Sequence, residues 1–189
     1  MPIKKIRPVT IGQRNISVQD FSDVTTDKPE KSLIISRKNK AGRNGGKIAV
    51  RHQGGGHKKF IREVDFTRSR YDIPATVKSV EYDPNRGARI SLVTYKDGVK
   101  SYVLTPDGMK VGDVIVSSLT EAEILPGNRL PLQKIPVGTT IHSVELAPGK
   151  GGQLGHGAGS RIEFMAIEDD FAVIKLPSGE TRRVPKGCM

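Results

Sequence analysis

The 189-residue sequence contains no tryptophan, only nine other aromatic residues and a single cysteine, Cys188. A single cysteine excludes an intrachain disulfide framework, which indicates a reducing compartment. No apolar run approaches the roughly 18 residues of a membrane-spanning helix, and residues 1–13 lack the apolar core of a signal peptide. We therefore expect a cytoplasmic protein with no membrane partner, and an organelle interior of the same redox character is the alternative.

The residue patterns of an enzyme are also missing. No Ser/His/Asp or Cys/His arrangement stands out, and the four histidines lack partner cysteines at zinc spacing. Residues 42–48 have the wrong spacing for a phosphate-binding P-loop, and no G-x-G-x-x-G motif follows a predicted strand. The sequence therefore predicts no catalytic residue, no metal, no cofactor and no small-molecule substrate.

Positive charge is abundant, and it is concentrated in residues 37–70, which we call the basic segment. The basic segment has eleven basic and two acidic residues, a net charge of +9, whereas residues 1–36 carry +2 and residues 71–189 carry zero. An excess placed in one stretch indicates a polyanionic partner. The residues of this segment predicted to contact that partner are Arg37, Lys38, Lys40, Arg43, Lys47, Arg51, His52, His57, Lys58, Lys59, Arg62, Arg68 and Arg70.

Glycines interrupt the basic segment and make a long helix improbable. Glycine lets a backbone approach phosphates closely while lysine and arginine neutralise their charge. A solvated, disordered tail is the alternative, but the apolar pattern at residues 60–66 is typical of an element that packs on a folded body. An anionic membrane is a weaker alternative, because no amphipathic basic helix is present. The segment therefore predicts nucleic-acid binding, with its two histidines donating to phosphates or base edges.

From residue 73 onwards, short apolar runs alternate with turn signals, which indicates strands. Strands are predicted at 75–82, 88–95, 99–104 and 109–117 and, after a proline-containing break at 126–131, at 137–146, 161–167, 171–176 and 180–184. Strands of this size without a long helix predict a mainly β protein with two small barrels. The expected domains are an extended basic N-terminal arm at 1–70, an OB-like RNA-binding barrel at 71–126 and an SH3-like barrel at 127–189.

The tract YDPNRGAR at residues 82–89 joins two predicted strands and is a candidate contact loop. Arg86 and Arg89 could project from it onto a nucleic-acid backbone, with Tyr82 available to stack on a base or sugar. The alternative is an ordinary turn flanked by solvated arginines and a core tyrosine. Its closeness in sequence to the basic segment favours contact with RNA or DNA.

A glycine-dense stretch at residues 148–160, here called the glycine loop, is the second candidate. Closely spaced glycines allow backbone N–H groups to approach phosphates or to follow a groove. Lys150, Gln153 and His156 are the predicted side-chain contacts. A flexible loop without a ligand is the alternative.

Several motifs spread over nearly the whole chain occur in collinear order: GRN at 42–44, RHxGGGHK at 51–58, YDPNRxARI at 82–90, LPL at 130–132, IPVG at 135–138, PGKGGQL at 148–154 and LPSGExRR at 176–183. This set closely resembles the motifs of the family of bacterial-type large-subunit ribosomal protein two. The last motif adds Arg182 to the predicted RNA-binding residues. Several such motifs in the same order are highly specific.

The resemblance implies an extended arm and two barrels bound to 23S-type rRNA as a structural constituent of the large ribosomal subunit. It implies that Arg86, Arg89 and the glycine loop contact rRNA and that residues 51–59 lie between rRNA helices. Other large-subunit ribosomal proteins are implied neighbours, with possible contact to the small subunit. The implied role is support of subunit association and of the architecture near the peptidyl-transferase centre, on a cytoplasmic or organellar ribosome.

Two departures from the family pattern stand out. Family members usually place an arginine after the GGQL element, whereas this chain has His156, which is only partly charged near neutrality, so the contact there is expected to be weaker or water-mediated. The family also continues into a basic, glycine-rich C-terminal extension, which is absent from a sequence that ends at Met189. Truncation, a separate chain and a reduced role near the catalytic centre are the open explanations.

Two other functions compete with the ribosomal one. A free single-stranded nucleic-acid chaperone would need a stacking platform, and the nine aromatic residues fall mostly in predicted strands. An RNA-modifying enzyme would need a nucleophile, metal cluster or cofactor loop that the sequence does not contain.

Overall fold

The computed structural model describes residues 3–36 and 41–189, whose regular structure is almost entirely β. In the first 70 residues the strands are β1 (Ile3–Lys5), β2 (Ser17–Gln19), β3 (Ile34–Ser36), β4 (Arg43–Asn44), β5 (Lys47–Ile48) and β6 (Phe60–Arg62). The later strands are β7 (Ala75–Glu81), β8 (Ile90–Tyr95), β9 (Lys100–Leu104), β10 (Val114–Ile115), β11 (Thr140–Ile141), β12 (Ile162–Glu168), β13 (Phe171–Lys175) and β14 (Thr181–Pro185). Short 3-10 helices span Ile11–Gln13, Lys31–Leu33 and Leu132–Lys134.

Strands β10, β7, β8 and β9 form, in that order, an antiparallel sheet that we call the first sheet. Side chains at the start of β7 alternate between buried and exposed, as expected of a strand with one face on a core. The register shifts between Val77 and Ser79, and such a bulge bends a strand and increases its twist. The core beneath this sheet consists of Ala75, Val77, Val93, Tyr95, Val103, Met109 and Ile115.

Strands β11 to β14 form an antiparallel meander that we call the second sheet. Ile162 and Phe164 are fully buried, as their period-two spacing predicts. A register shift lies between Phe164 and Ala166, and Met165 and Ile167 are both exposed. The core beneath consists of Leu132, Val144, Ile162, Phe164, Ala172, Ile174, Val184 and Cys188. The prediction of a mainly β chain with two small OB-like and SH3-like bodies is confirmed.

Two predicted strands are much shorter than the sequence indicates. The run 109–117 contributes only β10, because Gly112 adopts a left-handed φ of +97° in a turn that precedes the strand. The run 137–146 contributes only β11, because Ser143 adopts a left-handed φ of +56°. Backbone turns that hydrophobic periodicity does not encode therefore interrupt both runs.

Residues 3–36 contain short strands, and part of this stretch lies against the first sheet. Strands β1 and β2 pair with each other. The amide of Thr25 donates to the carbonyl oxygen of Val80 at 2.9 Å, on β7. The amide of Asp65 donates to the carbonyl oxygen of Tyr102 at 2.8 Å, on β9. The arm is therefore extended but is attached to the first sheet at Thr25 and again near its end, at Asp65.

A buried relay of hydrogen bonds holds the middle of the arm. The amide of Glu30 donates to the hydroxyl oxygen of Tyr102 at 2.8 Å, and that hydroxyl donates to Glu81 Oε2 at 2.8 Å. Burial raises the pKa of Tyr102 well above its usual range. The hydroxyl therefore stays protonated and keeps its donor role at physiological pH.

A buried ion pair joins the two barrels. Nη2 of Arg129 lies 2.6 Å from Oε1 of Glu145, and the two side chains are 9% and 1% exposed. Arg129 also donates to the carbonyl oxygens of Phe66 and Thr67, at the end of the arm. One guanidinium therefore fixes the arm, the linker between the barrels and the second barrel together.

Candidate nucleic-acid interface

Two short strands bring together the chain on either side of residues 37–59. In the antiparallel pairing of β3 with β6, Ile34 is opposite Arg62 and Ser36 is opposite Phe60. The connecting residues 37–59 contain eight basic residues and no acidic residue. Both ends of a stretch with a net charge of +8 are therefore fixed by regular backbone pairing.

The described part of this stretch, residues 41–59, lies at the surface. All of it is exposed except Gly42, which is half-buried. Strands β4 and β5 form a hairpin whose turn residues, Gly45 and Gly46, have φ values of +56° and +75°. Two successive left-handed residues are the geometry of a type I′ turn, which glycine adopts at low cost. Gly45 and Gly46 thus allow a tight turn in which the backbone of the hairpin stays exposed.

Five cations in this stretch have no partner in the described part of the chain. Their side chains form no ion pair and no hydrogen bond there; they are Arg43, Lys47, Arg51, Lys58 and Lys59. Lys58 contacts an aromatic ring instead, with Nζ 5.2 Å from the ring centroid of Phe60. The predicted histidines His52 and His57 are also exposed. The predicted contacts Arg37, Lys38 and Lys40 lie outside the described residues.

The last three predicted cations of the basic segment are engaged within the chain. The carbonyl oxygen of Phe60, that of Gly127 and the carboxylate of Asp97 accept hydrogen bonds from Arg62, Arg68 and Arg70, respectively. Arg62 is 8% exposed, whereas the other two are half-buried. Arg68 and Arg70 therefore connect the arm to later parts of the chain, whereas the bond of Arg62 lies within the arm. Contact of these three arginines with RNA stays a prediction.

Arg89 is buried and clamps the N-terminal arm. Its Nε and Nη2 atoms donate to the two carboxylate oxygens of Asp23, each at 2.9 Å, and Nη2 also donates to the carbonyl oxygen of Asp20 at 2.9 Å. The hydrogen bond from Arg89 holds the pKa of Asp23 below its usual value. A guanidinium that is 5% exposed is not the solvated arginine of an ordinary turn. Its contact with RNA stays a prediction.

Arg86 lies where the tract 82–89 meets the glycine loop. It is half-buried and forms an ion pair with the buried carboxylate of Asp83 at 2.5 Å. Its Cζ atom is 5.7 Å from the ring centroid of Phe66. That ring stacks on the imidazole of His156, with a centroid distance of 4.4 Å and an interplanar angle of 7°. The fold therefore brings together two predicted contact residues that are 70 positions apart.

The glycine loop is held by the same carboxylate that joins the barrels. Oε2 of Glu145 accepts from the amide of Gly149 at 3.2 Å, and Oε1 accepts from the amide of Gly151 at 2.9 Å. Lys150 lies between these two amides and is exposed, as is Gln153. The structure therefore gives the loop a defined conformation that presents Lys150 to the outside.

His156 behaves as a hydrogen-bonding group more than as a cation. Its Nε2 atom lies 3.2 Å from the hydroxyl oxygen of Ser143. Burial lowers the pKa of His156, and the charge of Arg86 lowers it further, whereas a backbone hydrogen bond opposes them. The imidazole is therefore mostly neutral at pH 7 and does not reproduce the charge of an arginine at this position.

Two adjacent arginines on β14 differ in their partners. Arg183 forms an ion pair with Glu168 at 2.6 Å, whereas Arg182 is exposed and has no side-chain partner among the described residues. Strand alternation explains the difference, because successive side chains point to opposite faces. Of the pair, Arg182 is the one without a competing carboxylate, and its contact with RNA stays a prediction.

Sequence reasoning missed the residues that position these contacts. Arg129 and Glu145 are 16 residues apart, and Asp23 lies 66 residues from its partner Arg89. One signal was available: Glu145 stands between the apolar residues Val144 and Leu146 in a predicted strand. A charge in such a place is buried only with a partner.

Comparison with known protein families agrees with this arrangement. Residues 30–117 match the family model described as Ribosomal Proteins L2, RNA binding N-terminal domain. Residues 125–189 match the model described as Ribosomal Proteins L2, C-terminal domain. The chain belongs to the ribosomal protein L2 family. The family resemblance predicted from the sequence motifs is therefore confirmed.

Membership of the L2 family establishes the general function. The L2-family chain is a protein of the large ribosomal subunit that binds RNA and assembles there with other ribosomal proteins. The family is one of structural RNA-binding proteins. In residues 3–36 and 41–189, no helix is long and apolar enough to cross a membrane, and no three His, Cys, Asp or Glu side chains are grouped as metal ligands.

Proposed function

We propose that this L2-family chain binds 23S-type rRNA as a structural constituent of the large subunit and supports subunit association and the architecture near the peptidyl-transferase centre. The pairing of β3 with β6 holds both ends of residues 37–59, and the cations of that stretch neutralise phosphates. The observation that carries the proposal is the pairing of β3 with β6 at the base of a stretch with eight basic and no acidic residues. The protein supplies no catalytic group.

Electrostatics favours this use of the stretch 37–59. A cation that already has a carboxylate partner gains little electrostatic free energy from binding a phosphate, because the carboxylate competes with it. The five exposed and unpaired side chains of residues 41–59 have no such carboxylate. Each neutralised phosphate releases condensed counterions, so about eight contacts predict a slope of log K against log salt near −7. Fixing both ends of the stretch in advance also reduces the conformational entropy that binding costs.

A second set of proposed contacts lies around the glycine loop. Arg86 and His156 approach the same ring, and Lys150 and Gln153 are exposed on the loop. Arg182 adds an unpaired cation on β14. Because these groups are held at fixed distances, we expect them to select folded RNA of matching shape over flexible strands.

The finer setting is part of the same proposal. We expect neighbouring large-subunit proteins around the barrels, a possible contact with the small subunit, and a cytoplasmic ribosome, with an organellar ribosome as the alternative. The single-cysteine composition is compatible with both compartments.

The proposal is tested by comparing two ligands at equal salt: a folded 23S-type rRNA fragment and an unstructured oligonucleotide of the same length. We expect far tighter binding of the rRNA fragment and a weakened preference in Arg86→Ala. Lys58→Gln/Lys59→Gln should reduce the salt slope by about two. The matched control is Lys175→Gln, because Lys175 already forms an ion pair with Glu163 at 3.3 Å.

Three outcomes would contradict the proposal. Equal affinity for both ligands would favour a free single-stranded nucleic-acid chaperone. Turnover of a nucleotide or RNA substrate would favour an enzyme. If the chain does not co-sediment with large ribosomal subunits at high salt, it is not a stable constituent of that subunit.

A further inference from the structure

Two aromatic rings form an exposed pair beside the first sheet. Phe21 and Tyr82 are 50% and 40% exposed, and neither ring belongs to the core of either barrel. Their centroids are 5.3 Å apart with an interplanar angle of 83°, an edge-to-face contact. A chain with only nine aromatic residues therefore places two of them together at the surface.

A buried arginine supports both rings from the inside. The Cζ atom of Arg89 lies 5.0 Å from the ring centroid of Phe21 and 5.7 Å from that of Tyr82. Arg89 is 5% exposed, and its guanidinium is held by both carboxylate oxygens of Asp23. The exposed area of the two rings therefore belongs to their outer sides, and the support beneath them is rigid.

Local structure fixes the outward direction of each ring. Glu81 and Asp83 are 3% and 0% exposed, so the alternation of side chains turns the intervening Tyr82 outward. Phe21 begins a turn in which the amide of Val24 donates to its carbonyl oxygen at 3.0 Å. The pair is therefore oriented before any partner binds, which lowers the entropic cost of binding.

The chemistry of this pair suits a base more than a phosphate. The nearest cation, Arg89, already has a carboxylate partner in Asp23, and the carbonyl oxygen of Asp20 accepts from the same guanidinium. Because these acceptors already use donors of the Arg89 guanidinium, binding of a phosphate beside the two rings is disfavoured. Open aromatic faces, by contrast, stack on the π-face of any base, and sequence-specific RNA contacts usually involve unpaired bases.

We propose that Phe21 and Tyr82 form a stacking site for an unpaired nucleobase of rRNA, with Arg89 as the positioning residue beneath the rings. The inference rests on the proposed function, because it needs a folded rRNA with a loop or bulge near the first barrel. It adds a site that involves no phosphate contact. Its contribution to affinity is therefore expected to be independent of salt.

The test measures the affinity of the full chain for the 23S-type rRNA fragment over a series of salt concentrations. Phe21→Leu and Tyr82→Leu keep apolar volume but remove the ring. Each should weaken binding by about fivefold or more at every salt concentration, because stacking contributes about 1–3 kcal/mol per base. The slope of log K against log salt should stay that of the wild type, and Tyr82→Phe should restore the affinity.

Phe171→Leu is the matched control, since Phe171 is 46% exposed on the second sheet, and it should bind as the wild type does. Unchanged affinity of both leucine variants would overturn the inference, as would a loss accompanied by a shallower salt slope. If the variants bind naked rRNA normally but fail to enter ribosomal subunits, the rings contact a protein and the inference is wrong. Failure of the wild type itself to prefer rRNA would contradict the proposed function instead.

Discussion

Replacing Glu145 by glutamine tests whether the buried ion pair holds the two barrels together. The carboxylate pairs with Arg129 at 2.6 Å and accepts from three backbone amides, including that of Met189 at 3.2 Å. Glutamine keeps the shape of the side chain but leaves the Arg129 guanidinium buried without a counter-ion. Breaking such a pair typically costs about 3–5 kcal/mol. The contacts share one carboxylate, so their separate energies do not add to that value.

The assay is urea denaturation followed by circular dichroism, with thermal unfolding as a second measurement. A loss of about 3 kcal/mol corresponds to a melting temperature roughly 6–12 °C lower in a chain of this size. The control is Glu163→Gln, whose pair with Lys175 is about half exposed and should change the free energy of unfolding by less than about 1 kcal/mol. Equal and small effects of the two variants would refute the reasoning.

Three further outcomes are expected. Asp23→Asn should lower the free energy of unfolding by about 1–2 kcal/mol at pH 7, measured by denaturation, because the carboxylate accepts two hydrogen bonds from Arg89. Since the pKa of Asp23 is lowered, this contribution to stability should persist until the pH falls below about 3.8. An unchanged free energy of unfolding would contradict the clamp. Burial lowers the pKa of His156 below 6.5, so the unfolded state binds more protons and the stability of the fold should decrease as the pH drops through 6.5. His156→Asn should reduce this pH dependence of the melting temperature. Identical pH profiles of variant and wild type would contradict the prediction. Burial raises the pKa of Cys188 to about 11, so a disulfide reagent at pH 8 should label the folded chain far more slowly than the urea-unfolded chain, and equal rates would contradict its burial.

Local patterns in the sequence predict most of the two barrels. Strands β7, β8, β9, β12, β13 and β14 follow predicted runs to within two residues at either end, because alternation and turn signals are local. The strands β10 and β11 are shorter than predicted, because the left-handed turns at Gly112 and Ser143 depend on the surrounding fold. Hydrophobic periodicity carries no information about such turns.

The candidate site is less accessible to prediction from the sequence. Charge alone identifies the exposed cations of residues 41–59, which the structure leaves without partners in its described part. The same criterion does not separate them from Arg68 and Arg89, whose partners lie elsewhere in the chain. For Arg89 the partner is Asp23, 66 positions away, and only the folded chain brings them into contact. Which arginines are structural therefore depends on tertiary packing.

The central claim is that the cations of residues 37–59 neutralise rRNA phosphates while β3 and β6 hold the ends of that stretch. The most direct test is a structure of the large ribosomal subunit that contains this chain. We expect phosphate oxygens about 3 Å from the nitrogen atoms of Arg43, Lys47, Arg51, Lys58 and Lys59, with β3 still paired to β6. The same side chains facing bulk solvent, with no phosphate within reach, would contradict the account.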